Sequence, residues 1–266
     1  MYHSFGRYTY ATSAEYISLC GMCRIIIMQM GLRVLILGGS RGIGLEMAKA
    51  LHNLGVNACD IVLVARCEKT LKVLQEKYGF EILALDVMSE FEKLKVYLLK
   101  DTPSVVVHNI GGRLACDNQP LSYEAWVESM EFNMGISVRV NEILLPIFAE
   151  AKGGIICHIS SNAAIDGSGA PGYVAAKAAI NAYVKSSARF YAKDNVRIFA
   201  VMPGIIESEV WQEKAKLNPQ YVEQRKAEQP LGRFAYPNEI GEFVASLIVM
   251  NNPLCNGAIY TLTGGV

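Results

Sequence analysis

From residue 31 onward, short uninterrupted apolar runs alternate with longer stretches in which apolar positions recur every three or four residues. The compact runs at 32–37, 61–65, 82–85, 105–108, 155–159, 198–201 and 259–262 have the length and the Val/Ile/Leu content of strands. The stretches at 42–54, 68–78, 90–100, 123–150, 173–193 and 238–250 carry the helical period. Strands that are apolar throughout are covered on both faces, and a helix after nearly every strand supplies the cover. The pattern predicts one domain of α/β class with a doubly wound parallel sheet. The charged segment 207–233 fits neither period, and an irregular stretch of that length in a compact domain reads as a lid or a mobile loop.

Residues 1–30 do not join this pattern. They are rich in Tyr and Ser, and their apolar run at 17–30 is interrupted by Arg24. The run is shorter than the roughly twenty apolar residues that span a bilayer. It also lacks the basic residues ahead and the small-residue cleavage site behind that a secretory signal needs. The expectation is a non-conforming leader upstream of a start at Met30, with the folded domain at 31–266.

Composition narrows the function. Lys and Arg number 25 and Asp and Glu number 25, so no basic excess points to nucleic acid or to a membrane surface. The seven cysteines, Cys20, Cys23, Cys59, Cys67, Cys116, Cys157 and Cys255, are odd in number and scattered. They predict reduced thiols in a cytoplasmic protein rather than a disulfide framework. Cys20 and Cys23 form a C-x-x-C, but no second pair follows, so no metal is expected.

Chemistry enters at the end of the first strand, which runs into Gly38-Gly39-Ser40-Arg41-Gly42-Ile43-Gly44 just before the first helix. Glycines there allow a tight turn and let a pyrophosphate approach the amides of a helix N-terminus. Further on, Tyr173-Val174-Ala175-Ala176-Lys177 places a phenol and an ammonium on one helical face. A free tyrosine has a pKa of about 10, and a neighbouring cation is expected to lower it towards the working range of a proton donor. Ser160, at the end of a strand, lies thirteen residues before Tyr173.

Together these features resemble the short-chain dehydrogenase/reductase family, whose opening motif is Thr-Gly-x-x-x-Gly-x-Gly; Leu37 stands here at the Thr position. His108-Asn109-Ile110-Gly111 is similar to the family's Asn-Asn-Ala-Gly segment, keeping Asn109 and Gly111, with His108 read as a structural replacement. Pro203-Gly204-Ile205-Ile206-Glu207-Ser208 is similar to its Pro-Gly-x-x-x-Thr segment, and Asn256-Gly257 to Gly264-Gly265 to its last strand and closing glycines. The resemblance covers essentially all of 31–266 and implies a Rossmann-type fold. It implies a catalytic set of Asn133, Ser160, Tyr173 and Lys177, with Ser161 as a backbone-bonding neighbour. Asn133 would lie where the helix is locally distorted and hold a water that relays protons to the lysine. Gly38 to Gly44, Asp86, Asn109, Gly111, Pro203, Gly204, Ile206 and Ser208 would line the cofactor, with Tyr173 and Lys177 at its nicotinamide end.

The second strand ends in Ala65 and is followed by Arg66, where an NAD-specific site would place a carboxylate. With Arg41 in the glycine loop, two guanidinium groups favour a 2′-phosphate, so NADP(H) is expected ahead of NAD(H). The leading expectation is reduction of a small or carrier-bound carbonyl, in the manner of 3-oxoacyl carrier-protein reductases. Arg113, Arg139 and Arg189 are the candidates to meet an acidic carrier. The alternatives are a sugar or sugar-nucleotide dehydrogenase/reductase of surface-glycan synthesis and a non-catalytic NADP(H) sensor or scaffold. Epimerases and dehydratases that share the Tyr-Lys pair fit less well. Specificity is expected in 113–120, 166–172 and 207–233. The broad apolar faces of 123–150 and 173–193 imply, by the same resemblance, a homodimer or homotetramer.

Overall fold

The structure is a computed structural model describing residues 31–266. The expected leader and the Cys20/Cys23 pair lie outside the described residues. Seven strands form one sheet in the order β3-β2-β1-β4-β5-β6-β7. They are β1 (Val34–Leu37), β2 (Ile61–Ala65), β3 (Glu81–Ala84), β4 (Val105–His108), β5 (Gly154–Ile159), β6 (Val196–Pro203) and β7 (Ile259–Leu262). Every neighbouring pair is parallel. This is the Rossmann-like doubly wound architecture that the periodicity predicts.

The two faces of the sheet explain its apolar strands. Val34 and Ile36 join Val105, Val107, Ile155 and Cys157 in one core layer. Helices α1 (Gly42–Asn53), α2 (Glu68–Tyr78) and α10 (Pro237–Met250) cover that layer, through Met47, Leu51, Leu71, Val244 and Ile248 among others. Leu35, Leu37, Val106 and Ile156 point the other way. There α3 (Phe91–Lys100), α5 (Ile136–Glu150) and α7 (Pro171–Tyr191) cover them with Leu94, Val140, Leu144, Ile180 and Val184. Alternation along each strand thus builds two dry layers from one sheet.

Three elements differ from expectation. The stretch at 123–150 is α4 (Tyr123–Met130), a π-helical turn over Glu131–Gly135, and then α5. A π turn widens the helix by one residue, and such turns cluster at functional sites. The segment 207–233 is not irregular: it contains α8 (Glu209–Leu217) and α9 (Pro219–Ala227). These helices escape periodicity because they are mostly polar; α8 has no fully buried residue and α9 buries Val222 alone. A short helix, α6 (Ala163–Asp166), follows β5. Among the described residues no helix is long and apolar enough to cross a membrane.

Candidate active site

The strand order reverses at β1, which lies between β2 and β4, and the crevice at such a switch point is where doubly wound sheets bind ligands. Gly38 leaves β1 with φ +81°, a left-handed conformation that favours glycine. Its N–H donates to the Val64 carbonyl at 2.9 Å, and its carbonyl accepts from Asn109 Nδ2 at 2.9 Å. A Cβ at Gly44 would overlap the Gly38 carbonyl and lie 2.7 Å from Asn109 Nδ2. Glycine at both ends therefore lets the loop fold flat against the start of α1.

The first turn of α1 contains no acidic residue, and Arg41 at its N-cap makes no side-chain capping bond. The helix N-terminus thus keeps its positive end available to an anion. Arg41 is exposed and ion-paired with Glu209 of α8, and Arg66 is exposed just past β2. Asp86, after β3, accepts the Met88 N–H at 2.9 Å and so braces its own turn. Gly111 is wedged between the catalytic candidates: a Cβ there would lie 2.8 Å from Asn133 Oδ1 and 3.0 Å from Lys177 Nζ.

Tyr173 and Lys177 both lie in α7, within its first two turns. Pro171 starts that helix at a position where its missing N–H is no loss. Lys177 is buried, donates to the Ile159 carbonyl at 2.7 Å, and lies 5.7 Å from the centroid of the Tyr173 ring. Burial disfavours the ammonium and lowers its pKa to about 8. Asn133 sits in the π turn, fully buried. Its Oδ1 accepts the Gly112 N–H at 2.8 Å, while its Nδ2 donates to the carbonyls of Gly112 and Ser129 at 3.1 and 3.0 Å. Its amide is thus spent on holding the loop after β4.

One expectation needs correction, and the two serines are placed apart. The expected lowering of the Tyr173 pKa is not found: burial raises it, and Lys177 does not offset that rise. The hydrogen bond that pulls it back down comes from Ser161. Ser160, by contrast, is buried and donates to the Lys177 carbonyl at 3.2 Å. Strand parity gives the reason: Ser160 falls on the same face as His158, which α7 covers, so its hydroxyl meets helix backbone. Ser161, one residue past that register, accepts the Ala163 N–H at 3.2 Å, as a backbone-bonding neighbour would, and also hydrogen-bonds the Tyr173 phenol.

His108 is buried at the end of β4, as a structural residue would be. Its Nε2 is 2.9 Å from Asn141 Oδ1 of α5, and its ring stacks on that of His158 at 4.5 Å. On the opposite wall, Gly204 N–H donates to the Leu262 carbonyl at 3.0 Å, and Ile206 forms a bridge with Ala235. Those bonds fix the segment from Pro203, the last residue of β6, to Ser208, which leads into α8. Arg139 lies over the Phe91 ring at 3.7 Å, and Arg113 donates to Asn118 Oδ1 at 2.6 Å. Arg189 lies near the far end of α7 and lines a shallow depression with Lys185 and Asn256. Among the described residues no cluster of His, Cys, Asp and Glu could hold a metal ion.

A neutral phenol hydrogen-bonded by a hydroxyl, with a buried ammonium beneath it, is equipped to give a proton to an oxygen in the crevice. Known proteins agree with that chemistry. Residues 38–266 match the family model adh_short_C2, described as enoyl-(acyl carrier protein) reductase. The chain is 26% identical over 240 residues to a 3-oxoacyl-[acyl-carrier-protein] reductase of Chlamydia trachomatis, covering 87% of this chain and 96% of the relative. It is 31% identical over 250 residues to an L-fucose dehydrogenase of Oryctolagus cuniculus, covering 87% and 84%. A solved L-sorbose reductase of Gluconobacter frateurii, complexed with NADPH and L-sorbose, superposes with a TM-score of 0.78 at 28% identity, covering 88% of this chain and 96% of that one. The chain belongs to the short-chain dehydrogenase/reductase family and is a nicotinamide-dependent oxidoreductase acting on carbonyl or alcohol groups.

Proposed function

We propose that residues 31–266 form an NADPH-dependent carbonyl reductase in which Tyr173 protonates the substrate oxygen. The observation that carries this reading is the meeting of Tyr173, Ser161 and Lys177 at the mouth of the crevice. The cofactor fits the residues present: the flat Gly38–Gly44 loop and the uncapped start of α1 suit a pyrophosphate. Gly39, Ser40, Gly42 and Ile43 complete that loop; Asn109 would wall the adenosine side, with Asp86 farther along the sheet edge after β3, and Gly111 lies against Asn133 and Lys177. Pro203, Gly204, Ile206 and Ser208 would hold the nicotinamide end. Arg41 and Arg66, with no carboxylate at the end of β2, favour a 2′-phosphate and hence NADP(H) over NAD(H). When bound, the nicotinamide supplies the hydride.

The chain's own residues do the rest. Ser161 donates a hydrogen bond to the carbonyl oxygen and holds it next to the phenol. The raised pKa of Tyr173 keeps it protonated at neutral pH, which suits reduction. Lys177 supplies positive charge beneath the phenol as the proton leaves. Ser160 ties β5 to the backbone at Lys177 and so fixes where α7 starts. Asn133 fixes the loop at Gly112, and the main-chain carbonyl loosened by the π turn would hold a water for proton resupply.

The 3-oxoacyl thioester is the first substrate class, supported by the Pro203–Ser208 segment and the carrier-protein reductase relatives. With Arg139 held on Phe91 and Glu131, carrier docking rests on Arg113 and Arg189. A keto-sugar is the second, supported by the L-sorbose reductase and the L-fucose dehydrogenase. Exposed Tyr123, Trp126, Val127 and Val138 on α4 and α5, with Phe190 on α7, support those helices as contacts between copies of the chain. The test is nicotinamide oxidation, followed by absorbance, with acetoacetyl thioesters, keto-sugars and simple ketones. Turnover of any one supports a reductase and selects its class; NADPH binding without turnover would replace this reading with a sensor or scaffold.

A further inference from the structure

The loop between β4 and α4 carries a carboxylate that the reaction as described does not use. Asp117 is fully buried, with a relative exposure of 0%. An ionised carboxylate in such a place needs hydrogen bonds to offset lost hydration. Asp117 has three: Oδ1 accepts the Gly172 N–H at 2.8 Å, and Oδ2 accepts the Tyr173 N–H at 2.7 Å and the Ser129 hydroxyl at 3.2 Å. Two of these donors are the first free amides of α7, and one belongs to Tyr173 itself.

The sequence of α7 explains why an outside cap is needed. Its N-cap residue is Ala170, which has no side-chain acceptor, and its first residue is Pro171, which has no N–H. Gly172 and Tyr173 are therefore the amides left to satisfy, and a carboxylate also complements the positive end of the helix. Close approach is built in: a Cβ at Gly172 would lie 2.7 Å from Ser129 Cβ and 3.1 Å from Asp117 Oδ1. Ser129 carries the connection onward, because its carbonyl accepts Asn133 Nδ2 at 3.0 Å. Asn133 in turn clamps Gly112, which lies in the same loop as Asp117.

We propose that Asp117 is a positioning residue: it ties the substrate-side loop to the start of α7 and fixes the Tyr173 phenol relative to Asn133. The loop is pinned at Gly112 to the π turn and at Asp117 to the helix that bears the proton donor. Its neighbours Cys116 and Asn118 are exposed, so contacts made by a substrate along the loop act on Tyr173 through Asp117. The proposal rests on Tyr173 being the proton donor.

Asp117→Asn keeps the size of the side chain but turns an NH2 towards a backbone N–H, so at least one helix bond is lost. Displacing a reacting group by a fraction of an ångström to an ångström lowers kcat by roughly 10- to 100-fold. The expected result is a fall of that size in kcat for the thioester or keto-sugar that the wild type reduces. NADPH affinity, set at the glycine loop, stays within about twofold, and hydrogen exchange at the amides of residues 172 and 173 speeds up about tenfold or more. Ser129→Ala, which removes only the hydroxyl bridge, should lower kcat by a smaller factor with the same split and covers the case in which Asp117→Asn does not fold. Unchanged kcat in the folded variants, or activity lost only in proportion to folded protein and NADPH binding, would overturn the proposal. Exchange at residues 172 and 173 unchanged would do so even without a substrate. Failure of the underlying reading is distinguished by Tyr173→Phe, which would then retain turnover.

Discussion

The buried histidine pair makes the most distinctive stability prediction. His108 and His158 stack at the ends of β4 and β5, and both Nδ1 atoms are buried without a partner. Asn141 on α5 and Tyr183 and Lys177 on α7 face the pair; Lys177 is the charged group among them, and it disfavours a second cation. Burial lowers the His108 pKa from 6.5 to about 4 and moves His158 in the same direction. Below about pH 6.5 the unfolded chain binds protons that the folded chain refuses, so stability falls with pH until the folded His108 titrates near 4. At about 1.4 kcal/mol per pKa unit, His108 alone removes on the order of 2–3 kcal/mol as the pH falls from 6.5 towards 4. That is a large share of the roughly 5–15 kcal/mol by which domains are stable. Urea unfolding of the wild type and of His108→Asn/His158→Asn between about pH 7 and pH 4.5 isolates the effect, because carboxylate contributions cancel in the difference. The wild type should lose at least about 2 kcal/mol more than the variant over that range. Parallel curves would refute the reasoning, because the buried imidazoles would then have no differential protonation to contribute.

Other outcomes follow from the site. Ser161→Ala should reduce kcat roughly 100-fold with little change in stability, whereas Ser160→Ala should mainly destabilise by about 1 kcal/mol through loss of a buried hydrogen bond; steady-state kinetics beside thermal melts separates them. Arg41→Ala/Arg66→Ala should weaken NADPH binding about tenfold or more while leaving NADH within a few fold, measured by fluorescence titration. Lys177→Met should abolish turnover yet raise the melting temperature at neutral pH. The folded ammonium has a pKa of about 8 against 10.5 unfolded, so its burial opposes folding below about pH 8 and ceases to do so by about pH 10.5. In the wild type, stability should therefore gain from this group as pH rises through that window.

How much of this was legible in the sequence depends on the distance over which each feature is encoded. Val34–Leu37, the glycine loop and α1 are contiguous, so pattern and motif place them together. Tyr173 and Lys177 are likewise encoded within one helical stretch, and the helix forms over both. The choice between Ser160 and Ser161 turns on a single residue in the turn just past β5, which a spacing rule does not resolve. Helix α9 escaped because its polar surface carries little apolar stripe, and α8 because it is short, charged and buries none of its residues fully. Asp117 escaped for a different reason: its partners Gly172 and Tyr173 are 55 and 56 residues away, and only the folded sheet brings them together.

The central claim is that the Tyr173 phenol is the proton donor in carbonyl reduction. Single-turnover oxidation of NADPH by Tyr173→Phe, with the substrate that the wild-type chain reduces, tests it directly. The account predicts unchanged NADPH binding and a rate lower by roughly 100- to 10,000-fold, the usual contribution of a general acid. A single-turnover rate equal to that of the wild type would contradict it.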